Sequence, residues 1–175
     1  MLGILVFSLY VMTDFGIADQ KSKQIRLIVT SDLHGWMSTA LMYPNRKKKG
    51  LLHLAKGIKK ARAENPDLIL LDAGDLLQGS PLVSYIHKTQ KSPAVEDPFF
   101  RLFQSLEYHA VVVGNHDLGI NPLFEREYLP NSKFSWLAAN VYRNKNLVFK
   151  PFLTLDCNGL KIAILGFPPL VHRCG

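Results

Sequence analysis

Three short stretches of the chain carry the side chains that bind divalent cations and transfer protons. They are Asp32-Leu33-His34, Asp72-Ala73-Gly74-Asp75 and Gly114-Asn115-His116-Asp117. Carboxylate, amide and imidazole groups are suitable ligands for manganese, zinc, iron or cobalt, and an imidazole also titrates near neutral pH. No requirement of folding explains why these residue types occur together. The stretches therefore predict a metal-dependent catalytic site.

Each of these stretches follows a run of mostly apolar residues of strand length. The runs cover residues 25–30, 68–71 and 111–113. Because they do not alternate strictly between apolar and polar residues, they are typical of strands that are buried on both faces of a sheet. Ligands in layered folds of strands and helices collect beyond the carboxyl ends of the strands. We therefore expect the three stretches to meet at one edge of a sheet.

The segments between and after these strands predict helices and a hairpin. Helices are expected from Leu51 to Asn65-Pro66, around 82–88, from Asp97-Pro98 to about Leu106 and at 121–129, with a strand at 136–141 and a hairpin of 149–155 and 160–167. Apolar residues three and four positions apart support the longer helices, and Asn158-Gly159 is a strong turn signal. Strands that alternate with helices, followed by a hairpin, indicate an α/β layered fold with a mixed sheet.

The spacing of the polar residues indicates which of them hold metal. Asp32 and His34, two residues apart on a loop after a strand, can bind one divalent cation. Asp75 can bridge that cation to a second one, which Asn115 would ligate through its amide oxygen. Two cations roughly 3.5–4 Å apart can lower the pKa of a bridging water and neutralise charge on a phosphoryl group. The expected product is a metal-bridged hydroxide that attacks phosphorus.

The third stretch also supplies the residues expected to handle substrate and proton. His116 would stabilise or protonate the leaving-group oxygen as a general acid. Asp117 is the adjacent carboxylate that could orient its imidazole. Asn115 and His116 are further expected to contact the phosphate ester itself. His116 need not be a metal ligand in this interpretation.

The composition fits a globular domain with an anionic partner. The 175 residues are 47% hydrophobic, with a mean hydropathy of +0.05, which is sufficient for a buried core. A net charge of +7 suits phosphate esters, nucleic acid or an anionic membrane surface. The basic cluster at 46–49 leaves open a non-catalytic phosphate- or nucleic-acid-binding module, and a degenerate fragment is a further alternative. Cys157 and Cys174 could pair in an exported chain or remain as two thiols.

The N-terminal segment predicts export. Residues 2–12 form an apolar run that is too short to span a bilayer as a helix but has the length of a signal peptide core. Gly16-Ile17-Ala18 offers small residues for cleavage. Residues 1–18 are therefore expected to be a signal peptide and 19–175 an exported domain, in the periplasm, on the cell surface or secreted. Because no basic residue precedes the apolar run, a buried N-terminal strand or an uncleaved anchor remains open.

Around the three polar stretches described first, the sequence resembles the calcineurin-like metallophosphoesterases. Within this family it resembles the N-terminal catalytic domain of the 5′-nucleotidase and 2′,3′-cyclic-nucleotide phosphodiesterase proteins. The matching motifs are TSDLHG at 30–35, DAGDLLQGSP at 72–81, VGNHD at 113–117, WLAANV at 136–141 and LKIAILGF at 160–167. The resemblance implies a four-layer sandwich of two mixed sheets flanked by helices. It also implies a first metal on Asp32, His34 and Asp75, a second on Asp75 and Asn115, and His116 as the catalytic histidine. The implied substrate is a nucleotide or cyclic nucleotide.

The sequence departs from this family in two places. In many of its nucleotidases an aspartate three residues after the catalytic histidine orients the ring, and Gly119 stands at that position here. The family also completes its metals with a downstream histidine and a Gly-His-x-His motif, followed by a nucleotide-binding domain, and the sequence reaches Gly175 without them. The resemblance therefore implies a sandwich that is incomplete at its C-terminus. With two or three protein ligands per cation, weaker metal binding is expected, and whether the isolated chain is active stays open.

Overall fold

The computed structural model of the chain describes residues 4–11, 23–38, 50–89, 98–119 and 132–169. Four expectations fall outside these ranges, namely the cleavage positions at 16–18, the basic cluster at 46–49, the helix at 121–129 and any pairing of Cys174. Within the described ranges, no helix combines the length and the apolar character needed to span a membrane.

A five-stranded sheet forms the centre of the fold. Its strands are β1 (Ile4–Val11), β2 (Lys23–Thr30), β3 (Ile69–Asp72), β4 (Ala110–Val112) and β5 (Ser135–Leu137), which lie side by side in that order. Strands β2 to β5 are parallel, whereas β1 pairs antiparallel with β2. The predicted mixed sheet is therefore confirmed, and the carboxyl ends of the four parallel strands lie at one edge.

Helices follow the parallel strands. They are α1 (Leu51–Glu64), α2 (Pro81–Thr89), α3 (Pro98–Ser105) and the single turn α4 (Asn115–Leu118). The predicted end of α1 is confirmed, since the backbone N–H of Asn65 donates to the carbonyls of Ala61 and Arg62 and closes the last turn. The predicted start of α3 is also confirmed. Proline suits the first helical position because its fixed φ is helical and its missing N–H would have no partner there.

The last part of the described chain is antiparallel. Two short strands, β6 (Tyr142–Arg143) and β7 (Asn146–Leu147), precede a hairpin of β8 (Phe152–Cys157) and β9 (Leu160–Leu165). Asn158 and Gly159 have φ of 55° and 74°, as a tight two-residue hairpin turn requires. The predicted hairpin is therefore confirmed. The predicted strand at 136–141 is shorter, because beyond β5 the N–H of Ala139 donates to Gly166, next to β9, instead of continuing the sheet.

Both faces of the central sheet are covered, as the apolar strands predicted. On one face, Ile28 and Leu70 join a core that includes the buried side chains of α1 and α3. On the other face, Ile25 and Ile69 pack with Cys157 and the inward side chains of the hairpin. The described residues thus supply three layers of the expected sandwich: helices, central sheet and hairpin.

The N-terminal apolar run forms a strand in the structure. Strand β1 pairs with the whole of β2, from Ile4 opposite Thr30 to Val11 opposite Lys23. This is the N-terminal strand that the sequence left open as the alternative to a leader. The pairing protects the edge of β2, because an unpaired edge strand invites association with other chains. Cleavage after residue 18 stays a prediction.

Candidate metal centre

Three side chains with metal-binding groups converge beyond the carboxyl ends of β2 and β3. One ligand atom from each of Asp32, His34 and Asp75 lies within 4.8 Å of the other two. Asp32 Oδ1 and His34 Nε2 are 3.8 Å apart, and the two side chains are 54% and 31% exposed. The structure thus brings the first two predicted stretches together, with their ligand atoms accessible to solvent.

Backbone hydrogen bonds hold these two loops against each other. The Asp32 N–H donates to the Gly74 carbonyl at 3.0 Å, and the His34 N–H donates to the Asp75 carbonyl at 2.8 Å. Asp32, His34 and Asp75 also have φ of 54°, 46° and 58°, a left-handed conformation that is uncommon outside glycine. Such a backbone persists only where its surroundings impose it, and it concentrates at functional sites.

A hydrogen bond fixes the imidazole of His34 in the tautomer that can bind a metal through Nε2. Its Nδ1 lies 2.8 Å from the carbonyl oxygen of Gln78. Because a carbonyl can only accept, Nδ1 must carry the proton and donate it. In the neutral ring this leaves the lone pair on Nε2, the nitrogen that lies toward Asp32. Metal-binding histidines are commonly oriented by such a bond to a backbone carbonyl.

The third stretch reaches the same site through its backbone. The His116 N–H donates to Asp75 Oδ1 at 2.9 Å, and the His116 ring lies edge-on to the His34 ring with centroids 5.3 Å apart. Asn115 lies between His116 and Gly114, and a β-carbon on Gly114 would overlap the Asp75 carboxylate. The exposed His116 side chain can meet a substrate. The structure thus brings the start of α4 to Asp75.

Asp117 has an environment that the sequence did not reveal. It is fully buried, and its carboxylate accepts three backbone N–H bonds. The donors are Leu76 at 3.3 Å, Leu77 at 2.7 Å and Gly114 at 3.0 Å. Burial raises the pKa of this carboxyl group, and the three donors oppose the rise. Asp117 therefore joins the second and third loops, while its expected role in orienting His116 stays a prediction that none of these bonds supports.

A second buried carboxylate lies beneath the first two loops. Asp72, the last residue of β3, accepts the Thr30 hydroxyl at 2.6 Å and the Gly74 N–H at 2.9 Å. Burial raises its pKa to about 8, and the nearby charges of Asp117 and Asp32 act in the same direction. Nothing in the residue pattern distinguishes the burial of Asp72 from that of Asp75. Asp72 is buried as the last residue of β3, whereas Asp75 lies on the loop that follows and is partly exposed.

The raised pKa of Asp72 predicts a metal-free fold that loses stability as the pH rises. Above pH 3.8 the unfolded chain releases this proton, whereas the folded protein keeps it up to about pH 8, so rising pH favours unfolding over this interval. Asp72→Asn is expected to flatten the decline by an amount of the order of a few kcal/mol near the upper end. Urea unfolding of both proteins in chelator, at several pH values across the interval, measures the difference. Parallel curves for the two proteins would contradict the raised pKa.

The donors present fit a divalent metal. Two carboxylates and an imidazole with its Nε2 lone pair available form a mixed oxygen and nitrogen set that suits several divalent ions. Among the described residues this is the one cluster of three or more His, Cys, Asp and Glu side chains close enough to share an ion. A second ion between Asp75 and Asn115 stays a prediction.

Comparisons with known proteins identify the family of the chain. The model of the calcineurin-like phosphoesterase family matches residues 25–167. The 2′,3′-cyclic-nucleotide 2′-phosphodiesterase/3′-nucleotidase of Yersinia enterocolitica is 29% identical over 165 residues, which is 87% of this chain and 25% of that protein. Protein UshA of Escherichia coli K12 is 30% identical over 166 residues, which is 91% of this chain and 28% of that protein. The chain thus spans about a quarter of the length of these relatives.

Solved structures share the fold. The calcineurin-like phosphoesterase YfkN from Bacillus subtilis superposes with a TM-score of 0.67 at 27% identity, over 83% of this chain and 48% of that one. A putative 5′-nucleotidase from Staphylococcus aureus gives a TM-score of 0.68 at 22% identity, over 81% and 28% of the two chains. The match to the family model, together with this shared fold and the converging loops, shows that the chain belongs to the calcineurin-like phosphoesterase family.

Proposed function

We propose that this chain supplies the N-terminal part of a two-metal centre that hydrolyses phosphate esters of nucleotides or cyclic nucleotides. The convergence of Asp32, His34 and Asp75, each on left-handed backbone, carries the proposal. The substrate class is supported by the name of the Yersinia relative, a cyclic-nucleotide phosphodiesterase and nucleotidase. A net charge of +7 favours an anionic substrate. We further propose that the protein acts after export, because the apolar run at 2–12 has the length of a signal peptide core; cleavage after residue 18 would remove β1 and leave β2 at the edge of the sheet.

The proposed metal ligands are divided between two ions. Asp32, His34 and Asp75 would hold one cation, and Asp75 together with Asn115 would hold the second. When bound, the cations would supply positive charge to the phosphoryl oxygens and lower the pKa of a water. Water, or protein outside these 175 residues, would fill the remaining coordination positions. The bond from His34 Nδ1 to Gln78 keeps Nε2 available throughout.

His116 is the residue that we assign to proton transfer. Its backbone N–H is held by Asp75 Oδ1, which fixes the start of α4 beside the metal ligands and leaves the ring exposed. In its protonated form the ring can donate a proton to the leaving-group oxygen as the phosphorus–oxygen bond breaks. Asn115, one residue earlier, would contact the phosphoryl group with its amide. Both residues therefore also bind the substrate.

A hydrolysis assay with and without metal tests the proposal. The substrates are 2′,3′-cyclic AMP, 3′-AMP and bis-p-nitrophenyl phosphate, each with Mn²⁺, Zn²⁺ or Co²⁺ and with EDTA. We expect turnover only with metal, and His116→Ala should lower kcat by about 10²- to 10⁴-fold without weakening Mn²⁺ binding. His53→Ala is the matched control, because His53 is an exposed histidine of α1.

Two outcomes would contradict the proposal. Turnover in EDTA would show that hydrolysis needs no metal, and full turnover in His116→Ala would remove that residue from the reaction. Phosphate or nucleic-acid binding that falls steeply with salt and survives Asp75→Ala, with no hydrolysis, would favour the non-catalytic binding module instead.

A further inference from the structure

A chain of buried hydroxyl groups ends at Asp72. Thr30, Asp72 and Tyr108 are 0%, 1% and 3% exposed. Thr30 Oγ1 donates to Asp72 Oδ2 at 2.6 Å and lies 2.9 Å from the Tyr108 hydroxyl. When the Asp72 carboxyl group is ionised, it accepts the single hydroxyl proton of Thr30 in a hydrogen bond, and the Tyr108 hydroxyl then donates to Thr30. We call these three residues the Tyr108–Thr30–Asp72 network.

The fold itself does not require a polar network at this place. Thr30 and Asp72 end two neighbouring parallel strands and lie directly opposite each other. Both residues belong to the central sheet, and the apolar residues beside them on the same face pack into the main core. Burying a carboxyl group costs free energy that apolar side chains of similar size would avoid. The network therefore needs an explanation beyond the stability of the sheet.

Hydrogen bonds lead from this network to the metal ligands. Asp72 Oδ1 accepts the N–H of Gly74, and the carbonyl of Gly74 accepts the N–H of Asp32 at 3.0 Å. Gly74 has a φ of 107°, a conformation that side-chain-bearing residues rarely adopt. The next residue is Asp75. The peptide units that flank Gly74 thus set the distance between the Asp32 and Asp75 loops, and Asp72 holds one of them.

We infer that Asp72, held in place by Thr30 and Tyr108, is a positioning residue for the metal centre. It fixes Gly74, and through Gly74 the relative placement of Asp32 and Asp75. Neither Thr30 nor Tyr108 reaches the substrate in this scheme. Outer partners of metal ligands typically contribute 10- to 100-fold to metal affinity. The inference rests on the proposed function, because it concerns the same centre.

Single hydroxyl groups can be removed from the network with little change of shape. Thr30→Val removes the hydroxyl at constant volume, and Thr30→Ser retains it. Tyr108→Phe keeps the ring that stacks on Phe103 with centroids 4.0 Å apart. The affinity of the whole chain for Mn²⁺ alone is measured by calorimetry for each variant, and unfolding is followed separately in EDTA.

We expect Thr30→Val and Tyr108→Phe to bind Mn²⁺ about 10- to 100-fold more weakly, while Thr30→Ser stays within about threefold of the parent protein. The rescue by serine separates a hydrogen-bonding role from packing. Phe103→Leu is the control, since it disturbs the same core and removes no hydrogen bond. It should reduce stability in EDTA without a comparable loss of Mn²⁺ affinity.

The failure of the inference can be distinguished from the failure of the proposed function. If the parent protein binds Mn²⁺, Asp75→Asn abolishes that binding and Thr30→Val and Tyr108→Phe leave it unchanged, the centre is real and the network does not position it. A loss in Phe103→Leu equal to that in Tyr108→Phe would likewise overturn the inference, because packing alone would explain both. If the parent protein binds no Mn²⁺, the proposed function fails, and the inference that rests on it fails with it. If Thr30→Val does not fold, Tyr108→Phe decides.

Discussion

Asp75→Asn is expected to weaken Mn²⁺ binding by more than about 100-fold and to abolish metal-dependent turnover. Loss of an outer partner already costs 10- to 100-fold, and Asp75 is the residue proposed to contact both ions. Asparagine tolerates the left-handed φ of 58°, and its amide oxygen can still accept the His116 N–H. The free energy of unfolding of the metal-free protein should therefore change by less than about 1 kcal/mol.

Calorimetric Mn²⁺ titration and the hydrolysis assay measure the effect of Asp75→Asn. Glu64→Gln is the matched control, because it removes one carboxylate charge from the exposed end of α1, where the side chain has a weak 4.0 Å pair with Lys60. Its Mn²⁺ affinity should equal that of the parent protein. Unchanged affinity in Asp75→Asn would refute the assignment of this carboxylate as a ligand.

Gly114→Ala is expected to damage both the fold and the centre. The added β-carbon would overlap the backbone nitrogen and the Oδ1 atom of Asp75. The φ of Gly114 is −79°, which any residue adopts, so the cost arises from the lack of space. Overpacking of this kind typically costs 1–3 kcal/mol. Relief requires movement of Asp75, and we expect a loss of Mn²⁺ affinity of at least about tenfold, as for other changes that misplace a metal ligand.

Gly57→Ala provides the opposite result in the same experiment. Gly57 lies within α1, and a β-carbon there would meet no atom within 4 Å. Alanine in a helix is favoured over glycine by roughly 0.5–1 kcal/mol, so this variant should be more stable and should bind Mn²⁺ normally. Urea unfolding and Mn²⁺ titration of the two alanine variants give the comparison. Equal stability of the two variants would show that the loops at Gly114 accommodate the added β-carbon without loss of stability.

The sequence was sufficient to predict the layered fold and the edge of the sheet at which Asp32, His34 and Asp75 converge. Apolar runs that end in Asp, His and Asn can be recognised in a sequence, because the run indicates a buried strand and the polar residues directly after it indicate metal binding. The turn at Asn158-Gly159 can also be recognised, since these two adjacent residues determine it. These features depend on local chemistry, which a sequence displays directly.

The separate roles of the aspartates were not predictable in this way. Asp117 accepts N–H groups from Leu76 and Leu77, about 40 residues away along the chain, and only the packing of two loops shows this. Asp72 and Asp75 are three residues apart, yet Asp72 is buried and Asp75, the proposed ligand, is partly exposed. The apolar run at 2–12 was ambiguous because a leader and an edge strand have the same composition.

The parallel order of the strands has a consequence for how the centre assembles. The backbone of His116 meets the carboxylate of Asp75 across 41 residues of chain, and Thr30 meets Asp72 across 42. Closing loops of this length is slow and unfavourable until the non-local contacts form. If an ion binds all three loops as proposed, we expect it to bind the completed sheet and not its early intermediates. Because Mn²⁺ would bind only after the sheet has formed, we expect it to slow unfolding more than it speeds folding.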